Sequence, residues 1–392
     1  MIENLTIRNF KRFDSVTFDI PHHVVLAGPN NCGKTTALQA ISAWALALDR
    51  WRRLNDFQRH GGYYVKAPIS RQTFYSVPLR SYDALWSRRN YAGAIEIELV
   101  SRDGWSITME LLADSTEQVY ARPRKDVSPE TLKNAQLKAV FVPAMGGLSP
   151  SEPVYQVPKI DQLLGQGKPG DVLRNLLVDA SNRNVWDQLR TSIQRMFGYE
   201  LAPPDATGPD IIAEYSERPG GPRFDIASAG SGFQQVLMLM TFLYTRPASV
   251  LLLDEPDSHL HVILQDMIYG ELQDVAIRQR SQLIIATHSE VIINSVAPEE
   301  LCLVINQPRL LSTTAERTRL AEAMRVLTNL DVIQGETARG VLFTEDYTDR
   351  NILLEWARIL QHSAYESLRQ SVMWKSCNTQ QRDAAEGIRA RD

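Results

Sequence analysis

Two stretches of this chain carry residue types and spacings suited to phosphate chemistry. Gly28-Pro29-Asn30-Asn31-Cys32-Gly33-Lys34-Thr35 fits G-x-x-x-x-G-K-[ST], the pattern of a phosphate-binding P-loop. Its glycines let successive backbone N–H groups turn towards a polyphosphate, and a helix N-terminus would add its positive dipole end. Asn30, Asn31, Cys32, Gly33, Lys34, Thr35 and Thr36 are the expected cradle. Lys34 would reach the β- and γ-phosphates, and the Thr35 hydroxyl would bind Mg²⁺. Far downstream, Val250-Leu251-Leu252-Leu253-Asp254-Glu255-Pro256 ends an apolar run in two carboxylates, the Walker B pattern. Asp254 would hold Mg²⁺ through its water shell, and Glu255 would polarise an attacking water.

The elements needed to position these groups are legible around them. His23-Val24-Val25-Leu26-Ala27 reads as the strand entering the P-loop, and apolar positions from Ala37 to Ile41 recur at helical spacing after it. The run from Val250 to Leu253 reads as a strand buried on both faces, which delivers its carboxylates at the edge where ligands bind in open α/β sheets. A helix from about Val262 to Arg278 follows, then a buried strand from Ser281 to Ala286 that ends in Thr287-His288-Ser289. One βα unit separates His288 from the acidic pair, so it is expected on the neighbouring strand beside the γ-phosphate. About twenty residues before Val250, Ala227-Ser228-Ala229-Gly230-Ser231-Gly232-Phe233-Gln234-Gln235 is a Ser/Gly turn opening the helix Val236–Tyr244, a second anion site by the same physics. One chain has no use for two γ-phosphate cradles, so this turn is expected to serve the nucleotide of a second subunit.

The remaining composition bounds the setting. The chain has 392 residues, 44% hydrophobic and 22% charged, with a formal net charge of −4 and so no overall basic footprint. No apolar run reaches the length of a membrane span, and Cys32, Cys302 and Cys377 are too few and scattered for a disulfide framework; a reducing cytoplasm is expected. Residues 49–93 hold nine Lys/Arg against three acids, interleaved with nine aromatics that include Trp51, Tyr63, Tyr64, Phe74, Tyr75, Tyr82, Trp86 and Tyr91. That mixture suits tracking a nucleic-acid backbone and stacking bases, and equally suits an insertion whose aromatics pack inward. Ala94–Val100 and Trp105–Leu111 alternate about an Arg102-Asp103-Gly104 turn and predict a hairpin, with Glu96 and Glu98 on its solvated face. Residues 159–199 read as an inserted lobe of helices, and short strands near 211–215 and 223–226 are expected to rejoin the sheet.

The ordered set of P-loop, Ser/Gly turn, Walker B pair, Asp257-containing loop and His288 resembles the ABC-type ATPases. The resemblance implies an α/β head over residues 1–340, with a mixed or parallel sheet, an N-terminal antiparallel β part and the helical lobe. It also implies ATP and Mg²⁺ as cofactors and an ATP-sandwich homodimer, or a higher oligomer. In that dimer Ser231 and Gly232 of one protomer, within the segment Ser228, Gly230, Ser231 and Gly232, close on the partner's nucleotide, with the serine contact falling to either Ser228 or Ser231; Asp257 counts among the nucleotide-binding residues and His288 contacts the γ-phosphate. The opening Ile2-Glu3-Asn4-Leu5-Thr6-Ile7-Arg8-Asn9-Phe10-Lys11-Arg12-Phe13 resembles the start of SMC-like and RecF-like DNA-maintenance ATPases. Gly340–Asp349, a strand ending in acids including Glu345, followed by the helix Arg350–Gln361, looks like the first βα unit of a TOPRIM domain. An ABC-type ATPase running into TOPRIM is the arrangement of the OLD (overcoming lysogenisation defect) family, associated with nuclease activity and phage defence. No Asp-x-Asp pair occurs between Asp349 and Asp392, so residues 341–392 read as an incomplete TOPRIM-like segment, and nuclease activity is not expected of this chain alone. The expected partners are a nuclease or toxin effector and, through residues 49–93, DNA. The rival readings are a RecF- or SMC-like repair ATPase and an ATP-bound scaffold.

Overall fold

The computed structural model describes residues 1–70, 77, 81–91, 93–115, 118–142, 147–166, 168–246, 250–258, 260–305, 307–326, 340–344 and 346–376. Two six-stranded sheets share a core built around one long helix. The first is antiparallel. β1 (Ile2–Phe10) pairs with β2 (Phe13–Asp19) on one side and with the strand Ile95–Ser101 on the other. Strands Ser106–Ala113, Gln118–Pro123 and Ala67–Ser70 complete it. The alternation of β1 sends Ile2, Leu5, Ile7 and Phe10 inward. The predicted hairpin forms with Ile97 opposite Met109, while Glu96 faces outward to Arg8 at 2.8 Å and Glu98 accepts from Ser106 at 2.8 Å.

The second sheet runs in the order Ala139–Val142, Val250–Asp254, Gln282–Thr287, β3 (Val24–Ala27), Leu301–Leu303, Arg309–Leu310, parallel except for the last strand. Its runs are continuously apolar because each strand feeds two cores. Val24, Leu26, Val250, Leu252, Ile284 and Ala286 face α1 (Lys34–Leu54) and the antiparallel sheet. Val25, Ala27, Leu251, Leu253, Leu283 and Ile285 face the helical lobe and the helix Ser231–Thr245, which is buried at every position from Phe233 to Thr245.

A side-chain clamp joins the sheets. Gln282, fully buried, accepts from the Ile2 N–H at 2.7 Å and donates to the carbonyls of Ile2 at 2.7 Å and Pro21 at 3.0 Å. Three backbone groups at the start of the antiparallel sheet are thus satisfied by one side chain of the parallel sheet.

The fold decides three points: the first chooses between two open readings, and the other two are corrections. The segment 49–93 begins as the last turns of α1, and Trp51, Tyr64, Tyr82 and Trp86 are core residues rather than a stacking platform. Burying their ring surface outweighs exposing it, and each polar ring atom finds a carbonyl: Trp51 donates to Val65 at 2.7 Å, Tyr64 to Val127 at 2.6 Å and Trp86 to Gly93 at 2.8 Å. Arg52 and Arg59 likewise donate to the carbonyls of Ala135 and Val127. Tyr63 and Tyr91 are exposed, and Phe74 and Tyr75 lie outside the described residues. Second, the short strands after the helical lobe do not rejoin the main sheet. Glu200–Leu201, Glu214–Ser216 and Phe224–Asp225 form a three-stranded sheet of their own. Third, the helix after the Ser/Gly turn (the signature segment) starts at Ser231 instead of Val236.

The lobe consists of helices Val157–Gly165, Leu173–Asn182 and Trp186–Phe197, whose Leu176, Leu177, Leu189 and Ile193 are buried as their spacing predicts. At the C-terminal end, Gly340–Thr344 pairs in parallel with Val372–Ser376 across helices Tyr347–Ile359 and Tyr365–Gln370. Asp346 caps the first of these helices through the N–H groups of Thr348 and Asp349. Glu345 lies outside the described residues. No helix among the described residues is long and apolar enough to cross a membrane.

Replacing Gln282 with leucine removes the clamp and strands the Ile2 and Pro21 backbone groups. With about 1–3 kcal/mol for each of the three groups left unpaired, an expected loss of at least about 3 kcal/mol should appear as a lower urea midpoint at unchanged slope.

Candidate functional site

The P-loop, the Walker B pair and His288 meet at the C-terminal ends of three adjacent parallel strands. Gln282–Thr287 lies between β3 and Val250–Asp254, with Ala286 opposite Leu26 on one side and Asp254 on the other. The strand leading to His288 therefore separates the phosphate loop from the acidic pair, and His288 emerges between them.

Gly33 sits at the N-cap of α1 with φ of 112°, a conformation that favours glycine. A Cβ there would come within 2.3 Å of the Phe13 ring, so the turn between β1 and β2 is seated directly on the loop. Lys34 is buried and donates to the loop's own carbonyls, to Gly28 at 2.7 Å and Pro29 at 2.9 Å. Its Nζ lies 3.9 Å from the Cys32 Sγ. An incoming phosphate must compete with those two carbonyls for the ammonium group. Burial pushes the Cys32 thiol up, against the pull of Lys34.

Thr35 Oγ1 donates to Asp254 Oδ1 at 2.9 Å. A hydroxyl and a carboxylate brought together at a strand edge are hard oxygen donors of the kind a Mg²⁺ ion takes while keeping several of its waters, so the pair fits that ion. Burial pushes Asp254 up to about 6, opposed by the Thr35 hydrogen bond and by Lys34 and Lys11, with Glu255 adding to the rise.

Glu255 follows with φ of 48°, a strained value for a non-glycine residue, and its N–H is pinned to the Ala286 carbonyl at 2.8 Å. The turn aims its carboxylate at His288, with Oε1 lying 3.3 Å from Nδ1. That contact is the main reason Glu255 is held below the usual carboxylate range and His288 above the usual imidazole range. The pair thus favours a carboxylate beside an imidazolium. Asp257 turns inward and accepts from Thr287 Oγ1 at 2.7 Å, and the same oxygen receives the Ser289 N–H at 2.9 Å. It ties the loop after Walker B to the strand end that carries His288, and burial raises its pKa.

The signature segment is braced by its own lobe. Gln234 donates to the carbonyls of Ile226, Ala227 and Ala229, and Ser228 donates to the Asp225 carbonyl at 2.6 Å. Arg174 grips Asp225 through two bonds of 2.8 Å. Ser231 and Gly232 form the first turn of the helix capped by Gly230, and Ser231 is exposed there. Ser228 is engaged with the backbone of a preceding turn, while Ser231 stands at the helix N-terminus.

Lys11 and Arg12, named above only as part of the opening run, reach the site from the turn between β1 and β2. Lys11 packs close enough to feel Asp254, donates to Gln39 at 2.7 Å, and has its pKa lowered by burial. Arg12 lies against Gly33. The available signal was a basic pair between the first two alternating stretches, in the turn that joins β1 to β2.

Residues 140–294 match the family described as "AAA domain, putative AbiEii toxin, Type IV TA system", and residues 1–45 match an AAA ATPase domain family. No curated protein matches the chain. Among solved structures it is similar to the SMC head domain from Thermotoga maritima, at 14% identity and a TM-score of 0.41, covering 80% of this chain and 99% of that one. It is similar to an Smc head bound to the C-terminal winged-helix domain of ScpA, at 15% identity and a TM-score of 0.48, covering 81% and 99%. A third likeness, at 14% identity and a TM-score of 0.46, is to an Smc head with an extended coiled coil, bound to the C-terminal domain of ScpA derived from Pyrococcus furiosus, covering 83% and 99%. The strand order, the P-loop and the acidic strand end define an ABC-type P-loop ATPase fold. The two family matches carry both halves of its site, the P-loop in one and the Walker B strand with His288 in the other.

Asp254 yields a signed prediction. Its pKa is higher folded than unfolded, so the folded state holds the extra proton, and without metal this group lowers stability as pH rises from about 4 to about 6. Above that window the deficit stays constant. Asp254→Asn should therefore raise metal-free stability by about 3 kcal/mol at pH 7.5, and the gain should vanish near pH 4 in parallel melts.

Proposed function

We propose that this chain is a Mg²⁺-dependent ATPase that dimerises around ATP and switches a DNA-directed or anti-phage effector. The observation that carries the reading is the pairing of Thr35 with Asp254 beside the Glu255–His288 contact, at three neighbouring strand ends. Lys34 leaves the Gly28 and Pro29 carbonyls to hold the β- and γ-phosphates. Thr35 and Asp254 hold Mg²⁺, which when bound neutralises phosphate charge. Glu255, kept ionised by His288, orients and deprotonates the attacking water. His288, favoured as imidazolium by Glu255, stands ready to donate to a γ-phosphate oxygen. Catalysis of this kind is mostly positioning and charge stabilisation, which suits a strand-edge site held by backbone hydrogen bonds.

A second anion site at Ser231 and Gly232, braced on its own lobe, supports the sandwich arrangement in which each head completes its partner's site. The defence role draws support from the family description matched by residues 140–294, which names a toxin of a toxin–antitoxin system. The parallel βαβ unit after the head agrees with a TOPRIM-like start and hence with the OLD arrangement. In this reading the effector is a separate nuclease or toxin, and residues 1–340 form the head that controls it.

Glu255→Gln keeps shape and removes the base. Turnover should fall about 10²–10⁴-fold while ATP binding survives, leaving a nucleotide-bound dimer that elutes ahead of the wild type in size-exclusion chromatography with ATP and Mg²⁺. Full turnover in this variant would overturn the assignment. Lys34→Ala should abolish both ATP binding and the ATP-induced shift.

A further inference from the structure

Arg174 is 2% exposed, in the first turn of the helix Leu173–Asn182 and beside Leu173, Leu176 and Leu177 of the lobe core. Stability alone does not account for a guanidinium there. Taking its charge out of water costs at least as much as one ion pair returns, so an apolar side chain would hold the position as firmly. What the buried pair supplies is geometry. Two parallel bonds of 2.8 Å, Nη1 to Asp225 Oδ2 and Nη2 to Asp225 Oδ1, fix the carboxylate in the plane of the guanidinium. Neither lysine nor an apolar residue reproduces that fork.

Both ends of the fork are themselves held. On the lobe side, the buried Glu152 accepts the backbone N–H groups of Arg174 at 2.9 Å and Asn175 at 2.7 Å, which fixes the helix end that carries the guanidinium. On the other side, Asp225 leads directly into the Ser/Gly turn. Its Oδ1 caps the turn Ile226–Ser228 by accepting the Ala227 N–H at 2.8 Å, and its carbonyl accepts the Ser228 hydroxyl at 2.6 Å. The carbonyls of Ile226, Ala227 and Ala229 converge on the Gln234 amide, in the first turn of the helix that Ser231 begins. The stretch between Asp225 and Ser231 is thus pinned at both ends, by the lobe through Arg174 and by the helix through Gln234. The Asp225 side chain is 46% exposed, so without Arg174 water takes over its carboxylate and the lobe anchor is lost. Lys34, Thr35 and Asp254 are held by a separate set of bonds.

We propose that Arg174 is a positioning residue for the half of the ATP site that acts in trans. By locking Asp225 it presets the Ser/Gly turn, so that Ser231 and Gly232 meet the triphosphate held by a second copy without reordering. The role rests on the ATP-sandwich reading above. A turn already in its binding pose loses little freedom when the partner's nucleotide arrives, whereas a loose turn must be ordered at the expense of dimer affinity.

The full chain carrying Glu255→Gln, with ATP and Mg²⁺, serves as the parent. Adding Arg174→Gln should leave binding of a fluorescent ATP analogue within about twofold at protein concentrations where heads stay single, while the nucleotide-bound dimer weakens on the order of 100-fold in analytical ultracentrifugation. Arg174→Lys, which keeps the charge and loses the fork, should weaken the dimer as well. If Arg174→Gln misfolds, the near-isosteric Asp225→Asn provides the second measurement and should show the same split. Where both fold, the double variant should be no weaker than Arg174→Gln alone, because the two changes remove one clamp. A parent that stays monomeric with ATP overturns the sandwich reading, and this role with it. A parent that dimerises, with Arg174→Gln and Asp225→Asn dimerising equally well, overturns the role of Arg174 alone. So does a loss of nucleotide binding that matches the loss of dimer, which is the mark of a general structural defect.

Discussion

The hydrogen bond from Thr35 to Asp254 joins residues 219 apart in the chain, and the site depends on the geometry that makes it. It forms because β3 and the Walker B strand lie in one parallel sheet, one strand apart, with their C-terminal ends level. That sheet is buried on both faces, so shifting any strand along its neighbours would move side chains out of two cores at once. Register is therefore strongly specified, and the polar groups at the strand ends inherit its precision. The Gln282 clamp extends the same constraint to the antiparallel sheet, whose β1–β2 turn seats Phe13 over Gly33.

Adjacent carboxylates at the Walker B strand end are tuned in opposite directions. Asp254 is half-buried, and desolvation raises its pKa to about 6, so its charge is costly without a compensating cation. Glu255 leaves the strand through a left-handed turn, which carries it out of the sheet and against His288, where it is held ionised. One residue of backbone strain thus sends two adjacent carboxylates into different surroundings, which in the proposed mechanism separates a metal ligand from a water-activating base. Asp257 and Thr287 then tie the following loop to the strand end bearing His288, so the three acidic positions answer to one rigid frame.

The helical lobe concerns partners more than chemistry. Gln234, on the helix that follows, and Arg174, from the lobe, brace the Ser/Gly turn, which presents Ser231 and Gly232 as a preformed surface.

Much of this protein was legible in the sequence because its signals are local. Gly33 must be glycine for its positive φ, Asp254 and Glu255 end a run too apolar to be anything but a buried strand, and His288 follows one βα unit later. The strand–loop–helix units, the hairpin with Glu96 and Glu98 outward and the core face of the lobe follow from periodicity alone. What composition left open was which way side chains point when a segment is rich in both aromatics and arginine. Only the packed structure turned Trp51, Tyr64, Tyr82 and Trp86 inward, because the antiparallel sheet and α1 need that volume to close their core. The short strands after the lobe joined one another instead of the main sheet for a related reason, since strand pairing joins segments distant in sequence and leaves no local mark on them. Lys11 and Arg12 were visible as a basic turn, yet their place beside the P-loop is set by sheet packing, a contact between elements that neither stretch encodes by itself.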